Sequence, residues 1–99
     1  MLTAKVIGTV VSTVKEQSLK GLKFLLLQNV DADCKPTSTY VVAVDAVGAG
    51  VGEIVLYASG SSARQTSVTD KRPCDAVVMA IVDNWDVEGN YKYIKGKND

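Results

Sequence analysis

Val44-Asp45-Ala46-Val47-Gly48-Ala49-Gly50-Val51-Gly52-Glu53-Ile54-Val55-Leu56 places three glycines in five positions between two runs of branched apolar residues. Branched residues favour extended backbone, and glycines this dense end it, so the segment predicts strand, compact turn, strand. The spacing is G-x-G-x-G, and a strand follows. A dinucleotide fingerprint needs G-x-G-x-x-G leading into a helix, whose N-terminus holds the phosphates. The turn therefore has two readings that remain: a tight hairpin turn, or a turn whose small size permits close approach at an assembly axis.

The same β signature extends in both directions. Upstream, Thr39 to Asp45 carries Val41, Val42 and Val44. Lys23 to Val30 has the unbroken centre Phe24-Leu25-Leu26-Leu27, a run that suggests burial on both faces, one of them against a partner subunit. Ala4 to Val14 interleaves valines with threonine and serine, and Gly8 within it marks a bend or bulge. Residues 31–38 read as a surface loop. Downstream, Glu53 to Ser59 and Ala76 to Val82 are two further strands, separated by the long polar stretch 60–73. Beyond Asp83, the aromatic residues Trp85, Tyr91 and Tyr93 flank a Gly89-Asn90 turn, which predicts a hairpin. Five main strands in a chain of 99 residues predict an all-β fold, a small five-stranded OB-like barrel with a C-terminal hairpin or tail, and one domain over residues 1–99. Closure removes the edges that so small an open sheet would expose.

Composition narrows the chemistry. Eleven basic residues balance eleven acidic ones. Binding to nucleic acid normally shows a basic excess, so this balance argues against it. Zero net charge also removes the self-repulsion that opposes association. The absence of histidine excludes the commonest general base and metal ligand. Cys34 and Cys74 lie forty positions apart without C-x-x-C spacing, and are read as two reduced thiols with no metal or cofactor to hold. The N-terminus shows no leader pattern, and the longest apolar run is too short to cross a bilayer, so neither secretion nor a membrane partner is expected.

Two more segments bear on function. In Ser59-Gly60-Ser61-Ser62-Ala63-Arg64, a serine follows glycine, but the nucleophile pattern G-x-S-x-G is missing. Ser61 and Ser62 suit the cap of a helical turn over 62–65, and Arg64 suits a forked contact with a carboxylate, Asp45 or Glu53. Tyr91 and Tyr93, two apart, would share one strand face. On an OB barrel such rings can stack on bases, but they more readily cap the barrel or line a subunit contact.

The turn 48–53 followed at this spacing by Gly60-Ser61-Ser62-Ala63-Arg64 resembles the EutN/CcmL family of bacterial microcompartment shell vertex proteins. Residues 4–15 have that family's opening form, and Pro73, Asp75 and Ala80-Ile81-Val82-Asp83 fit its later part. The resemblance spans residues 2–83 and leaves 84–99 as a variable C-terminal segment. It implies a homopentamer in the shell of a cytoplasmic microcompartment, beside hexameric shell proteins, with no catalysis and no cofactor. Flat hexagonal sheets need five-fold points to close. By motif, Gly48, Ala49 and Gly50 would lie near the pentamer axis, and Asp45, Glu53, Ser61, Ser62 and Arg64 would build or support the subunit contact. The rival readings are an OB-type single-stranded nucleic-acid-binding module and a small enzyme using Ser61 or Cys74.

Overall fold

The computed structural model describes residues 1–13, 15–60, 63, 65, 66, 69 and 75–97. Five strands close a barrel: β1 (Leu2–Val10), β2 (Phe24–Val30), β3 (Pro36–Asp45), β4 (Ile54–Ser59) and β5 (Ala76–Ile81). Their order around the barrel is β1-β2-β3-β5-β4, all antiparallel except the β3–β5 pair. β6 (Asn84–Val87) and β7 (Asn90–Ile94) form a separate antiparallel hairpin. The architecture is the OB-like barrel with a C-terminal hairpin that the strand pattern predicts.

Strand bounds differ from the sequence reading in instructive ways. β1 stops at Val10, short of Val14, and β3 starts at Pro36, so the loop after β2 is only 31–35. That loop is closed by one side chain: Asp31 Oδ1 accepts the amides of Asp33 and Lys35, each at 2.9 Å. Such an aspartate turn needs few residues, which frees the threonine-rich stretch after it to pair with β2. The irregularity expected at Gly8 is a register shift between Val6 and Gly8. The hairpin turn is Glu88-Gly89, both at positive φ (52° and 86°), with Asn90 already in β7. The 47–52 segment is not a hairpin turn, because β3 and β4 do not pair with each other among the described residues. It is a crossing between two strands that both pair with β5, which lies between them.

Three apolar clusters hold the chain together. Ala4, Val6, Leu25, Leu27, Ala43, Val55, Tyr57 and Val78 fill the barrel, with Ala49 from the glycine turn packed among them. Outside the wall, Val44, Ala58 and Val77 pack with Ala63 of the long loop. Elsewhere on the wall, Val30 and Ile54 pack beneath Tyr93 of the hairpin, with Trp85 and Val82 alongside. Two parts of the outer wall are thus covered by the chain's own later segments.

Candidate assembly site

The glycine turn is built around two carboxylates. Asp45, at the end of β3, has a side chain only 2% exposed. Its Oδ1 accepts the amides of Val47 (3.1 Å), Gly48 (3.0 Å) and Ala49 (3.3 Å). Its Oδ2 lies 3.8 Å from Lys23 Nζ. The acid thus satisfies three consecutive donors that the turn cannot pair with a strand, and the lysine compensates the charge. Glu53 does the same from the far end, its Oε1 accepting the Gly50 amide at 2.5 Å. Two backbone bonds then pin the turn to β1: Gly52 amide to Val6 carbonyl (2.8 Å) and Val6 amide to Glu53 carbonyl (2.9 Å).

The glycines divide by role. Gly48 (φ +79°) and Gly52 (φ +95°) sit in the left-handed region, where a side chain is strained. Gly50 does not. A Cβ there would meet only Glu53 Oε1, at 3.4 Å, an ordinary contact. Among the described residues nothing requires glycine at 50. Gly48 and Gly50 are exposed, while Ala49 turns its methyl into the barrel.

The hairpin reaches this turn. Lys95, just past β7, places Nζ 2.7 Å from Glu53 Oε2. The ammonium, followed by the Gly50 amide, holds the Glu53 carboxyl below its ordinary pKa, and Glu53 raises that of Lys95. Two more contacts fix the hairpin: Trp85 Nε1 donates to the Ala32 carbonyl (2.9 Å), and Lys92 pairs with Asp33 (3.1 Å). Trp85 and Tyr93 stack with centroids 5.3 Å apart.

Of the residues singled out in the sequence, the structure brings Asp45, Gly48, Ala49, Gly50 and Glu53 into one turn. Ser61, Ser62 and Arg64, with Cys74 and the proposed cap of a turn over 62–65, lie outside the described residues. Between them Ala63 is fully buried, its carbonyl accepting from Thr69 Oγ1 at 2.6 Å. Cys34 is a free thiol beside a 340 Å³ cavity that Lys5, Gln28 and Tyr93 also line. Burial pushes its pKa up, against the pull of Lys5. Lys95 was not a sequence candidate. Its link to Glu53 spans 42 positions, and no local pattern marks it.

Residues 1–83 match the family model described as ethanolamine utilisation protein EutN/carboxysome. The chain belongs to the EutN/CcmL family. The carboxysome shell vertex protein CcmL of Gloeobacter violaceus is 50% identical over 95 residues, 96% of this chain and 95% of that one. Its solved structure superposes with a TM-score of 0.92, at 49% identity over 96% of this chain and 98% of that one. The pentameric microcompartment shell protein GrpN of Rhodospirillum rubrum gives a TM-score of 0.81, at 46% identity over 88% of this chain and 99% of that one. The shell vertex protein PduN of Salmonella typhimurium is 51% identical over 84% of this chain and 96% of its own. These family members are structural proteins, not enzymes. The nucleic-acid alternative gains no support from them. The hairpin geometry explains why its aromatic signal misleads: Tyr93 is 2% exposed beneath the hairpin, and Lys92 and Lys95 are occupied by Asp33 and Glu53.

Proposed function

We propose that this chain assembles as a homopentamer that occupies the five-fold vertices of a microcompartment shell in the bacterial cytoplasm, and that the shell is of the carboxysome type. The observation that carries the assembly is the third part of the barrel's outer wall. Leu25 and Leu27 point inward, so Leu26 and Gln28 point outward, and across the ladder so do their partners Val42 and Tyr40. Tyr40 is 57% and Val42 46% exposed, with Ile7 of β1 also exposed beside them. Among the described residues nothing covers this apolar wall, whereas the other two parts are covered. A second copy is the covering this reading assigns to it, and the relative GrpN is pentameric.

The carboxysome assignment rests on the degree of likeness. The Gloeobacter CcmL structure superposes with a TM-score of 0.92, against 0.86 for an ethanolamine-utilisation EutN that covers the same 96% of this chain. Hexameric shell proteins are the partners that a vertex requires. Glycines 48 and 50 lie toward the five-fold axis in this reading, and Asp45 and Glu53 support the subunit contact by holding the turn. Co-expression with hexagonal shell proteins tests the function. Electron microscopy should show closed polyhedra with the chain and open sheets or tubes without it. Equal closure in both cases contradicts the proposal.

A further inference from the structure

We infer that the β3 backbone at Tyr40 and Val42, which has no strand partner on one side among the described residues, pairs with backbone of a second copy, so that the subunit contact is made partly by strand addition.

β3 is the longest strand, ten residues, and β2 pairs with it from Val44 back to Pro36. On its other side β5 pairs only with Val44 and Asp45. The barrel is therefore closed by a two-residue seam, and the rest of β3 beyond that seam has one free side among the described residues. The phase of the strand shows which groups face it. Asp45 donates its amide to the Lys23 carbonyl at 2.9 Å, which turns the polar groups of Asp45 toward β2. Direction alternates along an antiparallel strand, so Ala43 and Val41 also face β2. The amides and carbonyls of Val42 and Tyr40 face the open side.

An exposed edge of this kind invites pairing, and proteins that stay monomeric blunt it with charge, proline or a bulge. From Thr37 to Val44 there is no charged residue and no proline, and the irregularity in the β2–β3 register falls between Pro36 and Tyr40, leaving Tyr40 to Val44 regular. Tyr40 and Val42 are strong strand formers and are about half exposed. An edge left this inviting is used. The occupant is a second copy for two reasons. The edge borders the apolar outer wall at Tyr40 and Val42, so one partner can cover wall and edge together. A ring of five identical chains also needs a contact in which one face meets a different face of the next copy, and an open strand edge supplies one such face. The inference rests on the pentameric reading.

Residue-resolved amide hydrogen exchange on the wild-type chain tests it, with native mass measured on the same sample. The expected result is a pentamer in which the Tyr40 and Val42 amides exchange at least about a hundredfold more slowly than in an unstructured peptide, with protection lost on dilution to monomer. A pentamer in which both amides exchange at unstructured rates overturns strand addition and leaves the pentameric reading standing. Protection in a two-fold dimer keeps the edge pairing and removes the pentamer. Protection that persists in the monomer overturns the inference, because the edge would then be shielded within one chain. A chain that is monomeric at every concentration overturns both.

Discussion

Lys95 Nζ lies 2.7 Å from Glu53 Oε2, while Glu53 Oε1 accepts the Gly50 amide, so the C-terminal hairpin braces the glycine turn through a single carboxylate. The brace joins the segment beyond the family-matched residues 1–83 to the family's own turn. Its pH dependence follows from two opposite shifts. The folded pKa of Glu53 lies below its ordinary 4.5, so its contribution is present above that value and is lost as pH falls through the folded pKa. The folded pKa of Lys95 lies above its ordinary 10.5, so its contribution is present below that value and is lost as pH rises through the folded pKa. Exchange of the Gly50 amide should therefore be slowest, relative to an unstructured peptide, between those limits. Lys95→Met should remove the alkaline limb and speed that exchange throughout the window. Unchanged protection in the variant would show that Glu53 holds the turn unaided.

Asp45→Ala strips three amides of their acceptor; Val47 and Gly48 are exposed and can turn to water, while the amide of the buried Ala49 is left unpaired. Leaving one buried donor unpaired costs about 1–3 kcal/mol, so the barrel should unfold at lower denaturant while the slope of the transition is unchanged. Asp45→Asn keeps one oxygen for the turn and should recover part of the loss. Equal stability of the alanine variant and wild type in urea titration would contradict the role given to Asp45.

Gly48 and Gly50 should respond differently to substitution. Gly48→Ala forces a side chain into positive φ and should cost about 1 kcal/mol in the isolated fold. Gly50→Ala meets only an ordinary contact and should fold as wild type. Gly50→Leu should also fold, by circular dichroism, but assemble poorly, because five copies of the side chain converge near one axis. Normal pentamers of the leucine variant would place residue 50 away from that axis.

Trp85→Ala removes the indole bond to Ala32 and the stack on Tyr93. The combined loss is about 1–3 kcal/mol, taken chiefly from docking of the hairpin. Exchange should accelerate in residues 84–94 while the barrel strands keep their protection. Uniform acceleration across the chain would show that the hairpin and barrel unfold as one unit.

The barrel is legible in the sequence because each of its strands carries its own local signal. Leu25 and Leu27 alternate with partly exposed neighbours, and Val55, Tyr57, Val77 and Val78 mark the buried runs. The turn is legible as glycine-rich, but its role as a crossing is not, since only the pairing of β4 with β1 and β5 reveals it. The early start of β3 is hidden because Pro36 and the residues after it read as loop, until Asp31 closes the turn before them. Tyr91 and Tyr93 illustrate the limit of periodicity. They lie two apart in one strand, yet one is 64% exposed and the other buried, because the β6–β7 register shifts between them (Trp85 opposite Tyr93, Asp86 opposite Tyr91) and an irregular pairing breaks the alternation. The Lys95–Glu53 brace is long-range and electrostatic, and no spacing rule announces such a pair.

Native mass spectrometry at micromolar concentration tests the central claim most directly. Five chains of 10.5 kDa predict a single dominant species of about 52 kDa. A monomer or dimer as the dominant species would contradict a vertex role, and a hexamer would contradict the five-fold geometry on which shell closure depends.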